Sequence, residues 1–411
     1  MAADFKVVAI TAPECADLAR EAADITAMLA SGEVDFVHIR KPEEPAERVR
    51  RLIELVPEAY HGRLRLHGHF ELTEEFGLAG VQVNSRCPEA PQWARTVTRS
   101  CHSVEELAGC GTMEYATLSP AYPSISKPGY GTGASPAEVP ADAACPVIAL
   151  GGVTPERFGE LAAKGYAGAA MLGRIWADDM PLGARLRRIR MMRPGRFALQ
   201  YITDGATAAE VEREVAAVLE GGCRWVQIRM KDASDAVVAD AVERVLPLCR
   251  RAGALLLLDD RVDLCAATGA DGVHLGKGDM APAEARKILG EGKIIGSTAN
   301  SFTDIGKIAD AQASDYLGVG PLRFTTTKKR LAPTLGLDGY REIFASMAAG
   351  GIDLPVVAIG GVTPADVEPL RRAGAQGVAV SGDIRRAPYP AGRTSEYLSA
   401  DARAVRPYTH K

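Results

Sequence analysis

The chain has 411 residues, 47% of them apolar, and a formal charge of −4, a length that suits two domains better than one. Basic residues are scattered, apart from Arg187-Arg188-Ile189-Arg190 and Lys328-Lys329-Arg330, which argues against nucleic acid as a partner. The longest apolar run, residues 252–258, is too short to cross a bilayer; with no signal peptide and eight cysteines lacking any CxxC pair, a cytoplasmic protein is expected.

Residues 5–10 read as a strand and 16–29 as an amphipathic helix. A strand at 35–39 ends in His38-Ile39-Arg40-Lys41-Pro42, and a helix at 47–56 and strands at 63–66 and 80–83 follow. Arg99-Ser100-Cys101-His102-Ser103 leads into an acidic helix start at Glu105-Glu106, then come a strand at 115–118 and a polar loop over 119–133. The run Pro146-Val147-Ile148-Ala149-Leu150 stops at Gly151-Gly152 and then at Thr154-Pro155, which suits a helix start. A further apolar run, 168–173, also ends in glycine. Strands alternating with helices predict a parallel sheet, and about eight of them predict a closed barrel. Two glycine-ended strands before helix starts can offer backbone N–H groups to a phosphate, with no Cβ in the way.

The second half repeats the first. Residues 197–202 match 5–10, Trp225-Val226-Gln227-Ile228-Arg229 matches Phe36-Val37-His38-Ile39-Arg40, and Gly272-Val273-His274-Leu275 matches Gly80-Val81-Gln82-Val83. Ser297-Thr298-Ala299-Asn300 is set against Ser100-Cys101-His102-Ser103, which puts Ala299 opposite His102. Pro355 to Pro364 repeats the Gly-Gly stretch, and 377–382 repeats 168–173. We therefore expect two tandem (β/α)8 TIM barrels, residues 1–193 and 194–411, joined at Pro194-Gly195. In the second, Asp259-Asp260 and Asp279 at strand ends suit a hard cation such as Mg2+, and Arg229, Lys231 and Lys328 suit a diphosphate.

The ordered set Gln227-x-Arg229-x-Lys231, Asp259-Asp260, Gly272-Val273-His274-Leu275-Gly276…Asp279, Gly296-Ser297, Gly318-Val319-Gly320-Pro321 with Thr325-x-Thr327-Lys328, and Ala358-Ile359-Gly360-Gly361 resembles thiamine phosphate synthase over residues 196–386. The resemblance implies a barrel that joins hydroxymethylpyrimidine diphosphate to thiazole phosphate and releases diphosphate. It implies Mg2+ on Asp260 and Asp279, and diphosphate on Arg229, Lys231, Ser297 and Lys328. It also implies thiazole phosphate on Thr325, Thr327, Gly361, Ser381 and Gly382, with Gln227 near the pyrimidine. Asp259 stands where that family usually has Asn, adding negative charge near the diphosphate, and Ser381-Gly382 stands where its last loop usually reads Val-Ser. The implied mechanism is dissociative, so catalysis is positioning and electrostatics.

The first half keeps Ser124, Ser126, Lys127, Gly151-Gly152 and Leu172-Gly173 but has Leu66-His67-Gly68-His69-Phe70 at the Asp-Asp position. His67 and His69 alone, with no third ligand, make a weak zinc site. Ser100-x-His102-Ser103, with a kept phosphate site and a lost metal site, resembles the thiazole tautomerase branch of the same superfamily over residues 5–178. That resemblance implies a histidine, His102, that moves a proton, work that an imidazole suits. A non-catalytic ligand-binding or scaffold first half is the alternative. The expected partners are small-molecule substrates, with neither nucleic acid nor membrane; a homo-oligomer is left open.

Overall fold

A computed structural model of the chain describes residues 5–14, 16–123, 131–133, 135–177, 180–324 and 333–405. It divides into two compact units, Met1–Arg190 and Met191–Lys411. The first unit holds β1 (Lys6–Ile10), β2 (Phe36–Ile39), β3 (Leu64–Leu66), β4 (Gly80–Val83), β5 (Val97–Cys101), β6 (Tyr115–Leu118), β7 (Val147–Leu150) and β8 (Gly168–Met171). The second holds β9 (Leu199–Ile202), β10 (Trp225–Ile228), β11 (Leu255–Asp259), β12 (Gly272–Leu275), β13 (Ile294–Ala299), β14 (Tyr316–Val319), β15 (Val356–Ile359) and β16 (Gly377–Val380). Within each unit the strands pair in parallel in chain order, and the ring shuts where β8 pairs with β1 and β16 with β9. The chain forms two tandem (β/α)8 barrels. Among the described residues no helix is long and apolar enough to cross a membrane.

In two of the helices a side-chain cap and the apolar spacing mark the same start. Leu18–Ala30 follows Asp17, whose side chain accepts hydrogen bonds from the Ala19 and Arg20 N–H groups, and the helix buries Ala22, Ile25, Met28 and Leu29. Ala208–Glu220 opens with a capping box between Thr207 and Glu210 and buries Val211, Val215 and Val218. The acidic pair Glu105-Glu106 opens only a short 3-10 helix, Glu105–Cys110, where the sequence predicts an α-helix. Gly109 and Gly111 flank its end, and glycine weakens helix propagation.

Alternate residues of a barrel strand face the helices and the interior. In the second barrel Val226, Ile228, Leu256, Leu258, Val273, Leu275, Ile295, Ala299, Leu317 and Val319 belong to the core under the helices. The alternate residues Gln227, His274, Thr298 and Gly318 turn inward. Gln200 on β9 donates to the Tyr316 hydroxyl on β14 at 2.9 Å, a bond between non-neighbouring strands that must cross the interior. His274 Nδ1 lies 2.9 Å from the same hydroxyl, and its Nε2 lies 2.9 Å from Thr298 Oγ1. Glycines make room for these rings: a Cβ on Gly296 would collide with the Tyr316 ring, and one on Gly318 would lie 2.9 Å from His274 Cε1. This is why a glycine precedes Ser297 in the sequence.

Candidate active site

The strand ends of β10 and β11 build a charged cluster. Gln227, buried on β10, donates to Asp259 Oδ1 at 2.8 Å and so fixes that carboxylate at the end of β11. The Lys231 ammonium lies 3.3 Å from both Asp259 Oδ2 and Asp260 Oδ2, and Arg229 Nε lies 3.7 Å from Asp259 Oδ2. Asp260 adopts φ +59°, a left-handed conformation that Asp and Asn tolerate better than most residues. That turn aims its side chain between Lys231 and Arg261, whose Nε is 3.2 Å from Oδ1. Asp279 is held by the Gly276 N–H, which donates to its Oδ2 at 2.6 Å. Burial alone would lower the Lys231 ammonium, yet Asp259, Asp279 and Asp260 together raise it, so all three carboxylates act on one cation. Among the described residues, no three His, Cys, Asp or Glu groups are arranged as a metal cage.

Burial pushes the Asp259 carboxyl above the usual carboxylate range despite Lys231 and Arg229, and burial with Asp259 alongside does the same to Asp260. The native state thus binds more protons here than the unfolded chain, and this pair costs stability as pH rises through the raised values. Asp259→Asn removes one of the two charges and keeps an acceptor for Gln227. The variant is expected to exceed the parent in ligand-free stability at pH 7, and the gap should close below the ordinary carboxylate range. Urea unfolding across pH checks it; a variant less stable at pH 7 would show that the ion pairs dominate.

Beside this cluster lies a cavity of about 330 Å3, bordered by Arg229, Thr298, Asn300, Gly361, Ser381 and Gly382 among others. Gly360 and Gly361 adopt φ +93° and +69°, which only glycine takes without strain. A Cβ on Gly360 would lie 2.5 Å from Pro321 Cβ, so the chain also approaches too closely there for any side chain. Arg323 donates to the Gly361 carbonyl at 2.8 Å and grips Asp366 with two bonds, 2.5 and 2.8 Å, bracing the turn. Asp366 in turn accepts from the Thr363 N–H and hydroxyl at 2.8 and 2.7 Å, which caps the helix Pro364–Ala373. Ser381 Oγ is buried with no hydrogen-bond partner. Thr325, Thr327 and Lys328, like Ser124, Ser126 and Lys127, lie outside the described residues.

Ser297 is not brought to this site. It sits on β13 between Ile295 and Ala299, on the helix side, 3% exposed, with its hydroxyl 2.7 Å from Ser314 Oγ. Thr298, one residue on, faces inward and borders the cavity. A one-residue shift along a strand moves a side chain to the opposite face, and alignment of the two halves on their inner hydrogen bonds exposes that shift. Gln82 donates to Ser100 at 2.9 Å as His274 meets Thr298, so Ser100 corresponds to Thr298 and His102 to Asn300, not to Ala299. Thr298→Val is expected to lower kcat/KM about 10- to 100-fold, and Ser297→Ala to lower it less than about twofold. Steady-state kinetics on both variants decides; the reverse order would return Ser297 to the site.

A family profile described as "Thiamine monophosphate synthase" matches residues 7–175 and again residues 199–384. The chain belongs to the thiamine monophosphate synthase family. It is similar to the thiamine-phosphate synthase of Bacteroides fragilis, 48% identical over 203 residues, 49% of this chain and 99% of the relative. The thiamine-phosphate synthase of Flavobacterium johnsoniae is 44% identical over 186 residues, 45% of this chain and 87% of the relative. Among solved structures, thiamine phosphate pyrophosphorylase from Pyrococcus furiosus is 32% identical with a TM-score of 0.46, covering 51% of this chain and 97% of that one. The chain is an enzyme, a transferase of the thiamine phosphate synthase type.

This member of the thiamine monophosphate synthase family carries the fold twice but the carboxylates once. Strand pairing sets His67 and Gly68 where the second barrel has Asp259 and Asp260, and Cys87 where it has Asp279. A Cβ on Gly68 would lie 4.0 Å from Cys87 Sγ, so these two positions face each other at the barrel mouth. His67 Nε2 lies 2.9 Å from His38 Nδ1, and His38 Nε2 lies 2.6 Å from the Tyr115 hydroxyl. Burial, with Arg40 nearby, pushes the His67 imidazole down to about 3, and burial with His67 and Arg65 nearby pushes His38 well below its usual value. A neutral imidazole line therefore replaces the amide–carboxylate pair, with no charge to hold a cation. His69 hydrogen-bonds the Glu44 carbonyl at 2.9 Å and does not join His67. His102 is exposed at the end of β5, its Nδ1 3.5 Å from Ser119 Oγ, and its backbone N–H donates to the Glu106 carboxylate at 3.0 Å.

Proposed function

We propose that the second barrel joins hydroxymethylpyrimidine diphosphate to thiazole phosphate, giving thiamine phosphate and diphosphate. The observation that carries this reading is the position of Arg229, which borders the glycine-lined cavity and lies 3.7 Å from Asp259. One cation stands between an anion-binding cavity and a carboxylate–lysine cluster. A phosphorylated nucleophile and a diphosphate leaving group require two such subsites side by side.

The residues fit Mg2+. Asp259 Oδ2 is buried with only the long contacts to Lys231 and Arg229, and burial disfavours both Asp259 and Asp260 as anions, so a cation would relieve the pair. Mg2+ takes one or two carboxylates and fills its shell with substrate phosphate and water, so Asp260 and Asp279 suffice without a cage. Bound there, it neutralises charge on the departing diphosphate. Arg229 and Lys231 donate to the same oxygens, and Thr298 stands at the wall between the subsites. Gln227 Oε1, buried without a partner, is free to accept from an amino group on the pyrimidine. The turn at Gly361 with Ser381 and Gly382 holds the thiazole phosphate and aims its nitrogen at the carbon that the diphosphate leaves. In that step these side chains orient and neutralise, and none has to move a proton. Lys328, Thr325 and Thr327 complete both phosphate sites in this reading, with the cytoplasm as the compartment.

Mixing the full chain with both substrates and Mg2+ should release diphosphate and form thiamine phosphate, and chelation should stop it. No release under those conditions removes the reading.

In the first barrel the same proposal makes His102 the proton carrier of a thiazole phosphate tautomerase, supported by its exposed place beside Ser119. The neutral His67–His38–Tyr115 line fits this reading and the other one, a barrel that binds or braces without turnover. In the full chain, His102→Asn separates them. Lost tautomerisation with synthesis retained supports a multifunctional enzyme, and unchanged tautomerisation removes His102.

A further inference from the structure

Two consecutive arginines close the last strand-end turn of the second barrel, and their surroundings differ. Arg385 is tied down, with Nη1 3.0 Å from Asp204 and Nε 3.0 Å from Glu214. Arg386 borders the glycine-lined cavity together with Gly361, Thr363, Ser381 and Gly382. Among the described residues its guanidinium has no ion-pair partner. It packs directly on Gly382: a Cβ there would meet Arg386 Cζ and Nη2 at 2.8 Å, and Nη1 closer still. Gly382 has no positive φ, unlike Gly360 and Gly361, so its backbone conformation does not call for glycine. The Arg386 guanidinium lies over it, in the space that the missing side chain leaves open. The first barrel has Ala177 four residues after Gly173, where Arg386 follows Gly382 by the same interval.

We propose that Arg386 is a phosphate ligand particular to the second barrel. The bare Gly382 lets its planar guanidinium lie over the turn and donate two hydrogen bonds to the phosphate of the thiazole substrate. Ser381 Oγ, buried and unpartnered beside it, is placed to donate a third. This inference rests on the reading of the second barrel as a site for a phosphorylated thiazole. It makes Arg386 a specificity device: the cation recognises the phosphate and leaves the ring to the rest of the cavity.

The test uses the full chain. Arg386→Ala is expected to raise KM for thiazole phosphate about 10- to 100-fold, with kcat changed less than about twofold. KM for the unphosphorylated hydroxyethyl-thiazole should stay the same, and Arg386→Lys should recover part of the loss. An unchanged or lower KM for thiazole phosphate overturns the proposal, and so does an equal loss with both thiazoles, which would mark a structural role. If the parent chain forms no product at all, the synthase reading fails on its own. Arg386 is then judged by calorimetric titration of inorganic phosphate: binding about tenfold weaker in Arg386→Ala keeps the anion site, and equal binding overturns it.

Discussion

Asp260→Asn is expected to lower kcat for thiamine phosphate formation about a thousandfold while the barrel stays folded. Asn tolerates the left-handed conformation at φ +59° as Asp does, so the turn at the end of β11 survives. What changes is charge. Asp260 faces Lys231 through Oδ2 and Arg261 through Oδ1, and one of these oxygens becomes an amide nitrogen; in the proposed reading a Mg2+ ligand is lost with it. In the proposed reaction the leaving diphosphate carries most of the charge that develops, so the loss should fall on kcat, and the Mg2+ concentration for half-maximal rate should rise. Diphosphate release measured across Mg2+ concentrations, with hydrogen exchange to confirm the fold, checks both. A kcat within tenfold of the parent would remove Asp260 from the site.

The second large effect is on stability. Gly360→Ala is expected to destabilise the second barrel by about 3 kcal/mol, from a strained φ of +93° and a forced overlap. The new Cβ would lie 2.5 Å from Pro321 Cβ and 2.7 Å from Pro321 Cα. That backbone cannot retreat without weakening Leu322 N–H to the Ile359 carbonyl, 2.8 Å, and Arg323 N–H to the Gly360 carbonyl, 3.1 Å. Gly151, its counterpart in the first barrel, has φ +95° but a roomier contact, 3.1 Å to Pro120 Cα, so Gly151→Ala should cost about half as much. Hydrogen exchange followed strand by strand reads each barrel separately. Equal losses at the two sites would mean that strain alone decides, and that the overlap relaxes.

Much of the site was legible because strand ends announce themselves. An apolar run ending in Asp259-Asp260, Gly276 or Gly360-Gly361 fixes both where a strand stops and which residues stand at the barrel mouth. Gln227 and Asp259, both named from the motif, prove to be hydrogen-bonded neighbours, a pairing that only the structure shows. Ser297 was the exception. Ser297 and Thr298 are both small and hydroxylated, so composition cannot say which of them points inward. Arg323 and Arg386 left no local signal at all, since surface arginines are common and these matter only through what lies across the turn from them.

From the sequence alone come the duplication, the two (β/α)8 barrels and the restriction of carboxylates to the second copy, because these depend on order, spacing and residue type along the chain. Only the tertiary structure decided the register of β13 and the fate of each polar residue near it. A strand side chain is assigned to the interior or to the helix layer by pairing with distant strands: the Gln200–Tyr316 and His274–Thr298 bonds join residues far apart in the chain. The same holds for Gly382, whose missing side chain gains meaning only from the guanidinium folded over it.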